Sequence, residues 1–265
     1  MRALPYKRLL DKHGNLISQG IFQGQALVSF GYDDGYLNNY TIALPLHEQY
    51  AIPATFFIVT DWVNTDIRYA PTMTTPHLLD LQSKGYEIGA HSKTHTYYEG
   101  GSAYKGWANL SREELDYEIG ESKNQLEAWG LRVRGFAAPF YHRITNNDLY
   151  RKHGLRYNRV GTKKLETYPP GHIYELPSYV DTAKDVSVAT VKQAVDEAIQ
   201  EKKWIIITMH HVIETLDDTD VTSNTSYYWL AEQLDELLGY ISSKPKEQLY
   251  PATIYEGFVH STNYK

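Results

Sequence analysis

Ala26-Leu27-Val28-Ser29-Phe30-Gly31-Tyr32-Asp33-Asp34-Gly35 runs from apolar to acidic within one short stretch. Its first half is an uninterrupted apolar run, as expected of a strand buried on both faces. Asp-Gly then ends the strand in a turn. Two adjacent carboxylates at a buried strand end are costly for a loop with no other task, because charges avoid burial unless something pairs them. The organisation of the remaining chain follows from what those two acids face.

The same signature recurs downstream. Ala54-Thr55-Phe56-Phe57-Ile58-Val59-Thr60 is a second continuous β-prone run, after a helix predicted over Tyr40–Tyr50 and the stop at Pro53. Pro76 opens a short helix through Ser83 that Gly85 closes, and Tyr86–Ala90 is a third strand. Ser111 and Glu114 form a capping-box pattern. Leu115, Ile119, Ser122, Leu126 and Trp129 then share one helical face up to Gly130. Strands are predicted at Gly135–Ala138, Leu155–Val160 and Ile173–Leu176, with a short helix at Asn147–His153. Val191–Lys203 reads as a helix, Trp204–Met209 as a buried strand, and 226–240 as a helix. Ala252–Ile254 reads as a last short strand before a polar tail. Residues 1–25 read as a polar leader or linker.

Strand and helix alternate about seven times, which predicts a mainly parallel α/β sheet with right-handed crossovers. Periodicity alone leaves open whether that sheet is open or closed into a barrel. The length of 265 residues, 42% of them hydrophobic, supplies enough apolar material for one large domain.

Composition excludes several function classes. The net charge of -6, with no long basic run, argues against nucleic acid as a partner. No apolar stretch is long enough to span a bilayer, and the first residues lack the apolar core of a signal peptide. There are no cysteines, so a metal would have to be held by histidine and carboxylate. The 23 tyrosines suit sugar contacts as well as core packing.

The polar clusters share one position. Asp33-Asp34, His91 with His95, and His210 each follow directly on a predicted strand. In parallel sheets and barrels the C-terminal strand ends form the active face. His91 and His95 are four residues apart, so a helical turn would place both on one side, within reach of one ion. With one aspartate they make three N/O ligands, the set of a hydrolytic metal site. The second aspartate is then left to take a proton. His210, at the end of a very apolar strand, is placed for proton transfer.

These segments resemble the motifs of the polysaccharide deacetylases (the NodB-homology domain, carbohydrate esterase family 4). Gly31-Tyr32-Asp33-Asp34-Gly35 is similar to Thr-Phe-Asp-Asp-Gly, and His91-Ser92-Lys93-Thr94-His95 to His-Ser/Thr-x-x-His. Ala137-Ala138-Pro139-Phe140 is similar to Arg-x-Pro-Tyr/Phe, and Ile207-Thr208-Met209-His210 to Leu-x-Leu-His. The resemblance implies a single-domain, distorted (β/α)7-type barrel over residues 26–259, with 260–265 as a tail. It implies a divalent metal, usually zinc, with cobalt, nickel or manganese as alternatives. Asp34, His91 and His95 are then its ligands, Asp33 the general base and His210 the general acid. Pro139 and Phe140 lie at the oxyanion position, and Ile207 and Met209 line an acetyl pocket. The expected partner is an acetylated polysaccharide or oligosaccharide, which favours a site of action outside the cell.

The pattern departs from the family in places. The family's arginine of the third motif, which contacts the base aspartate, is Ala137 here; Arg143 and Arg159 are candidate replacements. No Asp-rich fourth motif stands out near Leu176-Pro177-Ser178-Tyr179. The pattern is nearest to the poly-N-acetylglucosamine deacetylases, so N-deacetylation of an amino-sugar polymer is the leading expectation. An O-acetyl-xylan esterase, a hydrolase of small cyclic amides, and an inactive carbohydrate-binding relative are the alternatives. Tyr97, Tyr98, Tyr104 and Trp107, and the segment 214–229, are the expected sugar contacts.

Overall fold

Strand β1 (Ala26–Tyr32) is buried at every position, as its apolar run requires. It is the axis of a computed structural model that describes residues 24–67, 70–95, 106–144, 147–161, 163–167 and 170–262. A wide helical turn over Asn39–Ala43 leads into α1 (Leu44–Tyr50). Next come β2 (Thr55–Ile58), a small antiparallel hairpin of β3 (Asp66–Ile67) and β4 (Ala70–Pro71), and α2 (Thr75–Lys84). They are followed by β5 (Glu87–Ala90), α3 (Arg112–Ala128), β6 (Val133–Ala137), α4 (Asp148–Lys152) and β7 (Tyr157–Gly161). The second half contains β8 (Leu176–Ser178), β9 (Val180–Asp181), α5 (Val188–Glu201), β10 (Trp204–Met209) and β11 (His211–Ile213). The chain then forms α6 (Thr219–Thr222), β12 (Tyr228–Leu230), α7 (Ala231–Ser242), β13 (Leu249–Pro251) and α8 (Ile254–Thr262).

The main sheet is all parallel, in the order β8-β7-β6-β5-β2-β1-β10-β9, with β13 beside the start of β1. Its two ends are one interrupted stave: β8 pairs with β7, and β9, one residue further on, pairs with β10. Tyr179, at the interruption, donates its backbone N–H to Ile206 C=O at 2.9 Å. Counted this way there are seven staves, and the sheet is a nearly closed, distorted (β/α)7-type barrel. Near-closure settles what periodicity left open, since a closed sheet has no exposed edge.

Burial follows the strand pattern. All six residues of β10 are 0% exposed, each large aliphatic contributing about 1.5–3 kcal/mol. The capping box that starts α3 is present, with Ser111 accepting from Glu114 N–H and the Glu114 carboxylate accepting from Ser111 N–H at 2.7 Å. Leu115, Ile119, Ser122 and Leu126 face inward as expected.

Four expectations need correction. The strand expected at Ile173–Leu176 begins only at Leu176, because the preceding segment is a turn. The helix expected over 226–240 begins at Ala231, and Tyr228–Leu230 is instead a strand paired with β11. The last strand is Leu249–Pro251 rather than Ala252–Ile254, and the expected polar tail is α8. That helix, which runs past residue 259, buries Ile254 and Phe258 against Leu27, Phe57, Tyr157 and Trp204 under the barrel. A second capping box starts it: Glu256 accepts from Thr253 N–H at 2.9 Å and donates its own N–H to Thr253 Oγ1. Thr253-Ile254-Tyr255-Glu256 carried that signal in the sequence. Of the expected leader 1–25, residues 1–23 lie outside the described residues.

Candidate active site

Every polar cluster singled out in the sequence lies at the C-terminal end of a stave. Asp33 and Asp34 follow β1, His91 and His95 follow β5, Pro139 and Phe140 follow β6, and His210 follows β10. Asp33, Asp34, His91, His95, Phe140 and His210 line one cleft of about 360 Å³, with Tyr36, Trp62, Tyr141, His211 and Tyr227 among its other walls.

His91 Nδ1 lies 2.8 Å from the Ala137 carbonyl, which can only accept, so this nitrogen carries the proton. The lone pair of Nε2 therefore faces Asp34 Oδ1 at 3.5 Å and Asp33 Oδ2 at 3.9 Å. His95 Nε2 is 3.6 Å from the same Asp34 oxygen. Ligand atoms of Asp34, His91 and His95 all lie within 4.8 Å of one another. Acceptors turned towards acceptors at these distances repel unless a cation sits among them, so the donor set fits a divalent ion. Burial, followed by the charge of Arg159, holds His91 well below its usual pKa, in the neutral form that binds metals. Its bond to a backbone carbonyl fixes the ring, as partners of metal-ligating histidines commonly do.

The two histidines meet without a helical turn, contrary to the sequence-based expectation. Residues 91–95 form a loop in which Ser92 (φ 70°) and His95 (φ 57°) are left-handed, and His95 N–H bonds back to Ser92 Oγ at 2.9 Å. Asp34 (φ 73°), Phe140 (φ 54°) and Tyr141 (φ 60°) are left-handed as well. Such backbone costs about 1–3 kcal/mol per residue and concentrates at functional sites. The rings of Trp62 and Phe140 both contact the His95 ring, with centroids at 5.1 and 4.7 Å.

The arginine missing at Ala137 is supplied by β7. Arg159 is the register partner of Ala137 on the neighbouring strand. Its Nη2 lies 2.6 Å from both Asp33 oxygens, and the side chain is fully buried. The guanidinium also sits over the rings of Tyr141 (4.9 Å) and Phe57 (5.5 Å). Arg143 takes no part here; it pairs with Glu175 at 3.3 Å.

Asp181 is the site residue that the sequence reading missed. It ends β9, and its Oδ1 lies 3.4 Å from His210 Nδ1. Burial by itself would lower the pKa of His210, but Asp181 and the charges of Asp34 and Asp33 lift it to about 9. Burial pushes the neighbouring His211 down to about 3, helped by His210. His211 stacks on Tyr36 at 3.7 Å and accepts from the Asn38 amide at 3.0 Å. The two adjacent histidines are thus driven apart, His210 towards the charged form and His211 towards the neutral one. The polar residues Ser178, Asp181 and Thr182 were the available signal, obscured by the break in the stave at Tyr179.

Other expected positions fall elsewhere. Ile207 and Met209 are 0% exposed in the core of β10 and do not line the cleft. Pro139 is buried, whereas Phe140 is 42% exposed at the rim. Trp107 is 1% exposed and packs on Phe136, so it is core rather than a sugar platform. Tyr97, Tyr98 and Tyr104 lie outside the described residues. From the segment 214–229, Asn224, Thr225 and Tyr227 do reach the cleft.

The sequence model of the polysaccharide deacetylase family matches residues 23–158, half of the chain. The chain belongs to the polysaccharide deacetylase family. A bifunctional xylanase/deacetylase of Pseudobutyrivibrio xylanivorans is 28% identical over 136 residues, 51% of this chain and 20% of that protein. The chain thus spans about a fifth of that relative's length. Among solved structures, the CE4 domain of a multidomain xylanase from the hindgut metagenome of Trinervitermes trinervoides superposes with a TM-score of 0.56 at 16% identity, covering 90% of this chain and 92% of that one. A CE4-family pseudoenzyme from Bacillus anthracis gives 0.57 at 16% identity, covering 89% and 66%. Likenesses at this identity speak for the fold alone. Members of the family are metal-dependent hydrolases of acetyl groups on polysaccharides, and this chain carries an Asp/His/His set that fits such a metal. Among the described residues, no helix is long and apolar enough to cross a membrane.

Proposed function

We propose that this deacetylase removes N-acetyl groups from an amino-sugar polymer containing N-acetylglucosamine, releasing acetate and a free amine. The observation that carries this reading is the pairing of two proton-handling groups across the Asp34/His91/His95 set. Asp33 is held by Arg159 at 2.6 Å and His210 by Asp181 at 3.4 Å. An amine leaves only when protonated, and His210 is kept cationic by its carboxylate neighbours. An ester needs that proton far less, so the pair favours an amide.

Asp34, His91 and His95 would hold the divalent ion, zinc in the leading reading, which supplies Lewis-acid polarisation of the acetyl carbonyl and acidification of a water. Asp33 accepts the proton of the attacking water. Arg159 pairs with both oxygens of that carboxylate and aims it. The Phe140 backbone N–H is the expected donor to the developing oxyanion. His210 then protonates the leaving nitrogen, and Asp181 stabilises the imidazolium until the transfer.

A second reading is an O-acetyl esterase on xylan, favoured by the xylanase/deacetylase relative. Acetate release from N-acetylglucosamine oligomers and from acetylated xylan, each with and without chelator, separates the two. Release from the oligomers that chelator abolishes is expected, and Asp33→Asn should remove on the order of 100-fold or more of the rate. Release from xylan alone would replace the amide reading by the ester reading. No release from any acetylated glycan, with metal present, would leave an inactive binding relative.

A further inference from the structure

Strand β7 leaves room for one more residue of the site. Arg159 and Gly161 are two positions apart on it, so they address the same face. A Cβ on Gly161 would come within 2.5 Å of Tyr141 Cβ and 2.7 Å of its Cγ, so only glycine admits the Tyr141 side chain there. The ring then lies against the Arg159 guanidinium, 4.9 Å from its centroid, within the range of a cation–π contact. Phe57 meets the same guanidinium at 5.5 Å. Arg159 is thus packed between aromatic rings while its Nη2 holds both Asp33 oxygens.

Tyr141 takes this place through a strained turn. Phe140 (φ 54°) and Tyr141 (φ 60°) are consecutive left-handed residues, a conformation that concentrates at functional sites. Tyr141 N–H donates to Ala138 C=O at 3.0 Å, and Ala138 N–H donates to Arg159 C=O at 3.0 Å, so the turn is tied to the strand that carries the arginine.

The other end of the side chain lies by the acid. The Tyr141 ring stands edge-on to His210, with centroids 6.5 Å apart. Its hydroxyl is buried and makes no hydrogen bond of ordinary length. Burial, followed by the charges of Asp33 and Asp181, holds this hydroxyl well above its ordinary pKa, so it keeps a proton to donate. Burial by itself would raise the pKa of Asp181, but His210 and then the Tyr141 hydroxyl bring it below the usual carboxylate value. Hydrogen bonds of a catalytic site are commonly long before substrate binds and shorten with it.

We propose that Tyr141 is a positioning residue for both proton-handling pairs: its ring holds Arg159 on Asp33, and its hydroxyl supports Asp181 behind His210. The inference rests on the amide reading above, and two leaving groups test it. p-Nitrophenyl acetate releases a phenolate that needs no proton, whereas an N-acetylglucosamine tetramer releases an amine that does. With zinc bound, Tyr141→Phe should lower kcat on the tetramer on the order of tenfold, with KM unchanged, and leave the aryl acetate rate within about twofold. Tyr141→Leu, which loses the ring, should lower kcat on both substrates on the order of tenfold or more. Equal changes on the two substrates in Tyr141→Phe, or wild-type rates in Tyr141→Leu, overturn the proposal. A wild type that cleaves the aryl acetate and no N-acetylated oligomer removes the amide reading instead, and the ester rate of Tyr141→Leu still decides whether the ring positions the base. If neither substrate is cleaved, urea unfolding of Tyr141→Leu, Arg159→Met and the double variant decides. A combined midpoint shift smaller than the sum of the two supports the coupling of ring and guanidinium, and an additive shift sinks it.

Discussion

At the scale of single residues, the third-motif arginine missing at Ala137 has a substitute that holds Asp33, the proposed base. Arg159 reaches Asp33 from the strand next to Ala137, in register with it. The contact is therefore kept although its residue has moved across a strand. Asp33 and Arg159 are both almost completely buried, and breaking such a pair typically costs 3–5 kcal/mol because one charge is left unpaired. Arg159→Met should lower kcat on the order of 100-fold, the scale of losing the aim of a reacting group. Arg159→Lys, which restores one charge without the planar fork, should recover part of that loss. Kinetics and urea unfolding of both variants check this, and a wild-type kcat in Arg159→Met would remove Arg159 from the mechanism. The sequence offered Arg159 only as one of two candidates. An arginine inside Tyr157-Asn158-Arg159-Val160 is legible as unusual, but its partner is 126 residues away and only the strand register brings the two together.

At the scale of elements, the C-terminal helix closes the bottom of the barrel through two acids, the half-buried Glu87 and the buried Glu256. Glu87 accepts from Tyr157 Oη (2.7 Å), Thr55 Oγ1 (2.8 Å) and Tyr255 N–H (2.9 Å), linking β5, β7 and β2 to α8. Glu256 caps the same helix, and burial raises its pKa from 4.5 to about 7. The folded protein therefore binds the Glu256 proton more tightly than the unfolded chain does. The resulting stability is fully present below about pH 4.5 and is lost as the pH rises through about 7. Glu256→Gln keeps an acceptor for the Thr253 N–H without the charge. It should raise the Tm at pH 8 relative to the wild type and flatten the fall in stability between pH 5 and 8, as read by calorimetric melting. An unchanged pH dependence would show that Glu256 is not the group responsible. The sequence reading missed α8 because Ala252-Thr253-Ile254 is β-prone by composition, whereas the capping box beginning at Thr253 overrides that preference.

At the scale of the whole molecule, a parallel barrel brings strand ends far apart in the chain to one rim, where Asp34, His91 and His95 converge. An ion binding only the folded state at 100 times its Kd stabilises by about 2.7 kcal/mol. For a chain of this size that is a rise in Tm of roughly 5–10 °C. Zinc should produce such a shift in the chelator-treated protein, and His91→Ala should abolish it while Glu256→Gln retains it; the same shift in His91→Ala would place the ion elsewhere. The sequence by itself determined the staves, their polar C-terminal ends and the residue types of the metal set, because apolar runs and acid or imidazole pairs at their ends are local signals. Tertiary structure alone decided the closure through the stave broken at Tyr179, the supply of Arg159 to Asp33, the pairing of Asp181 with His210, and the withdrawal of Ile207 and Met209 into the core. Each of these depends on strand register and on which side of a stave faces inward, and a one-residue change of register reverses both.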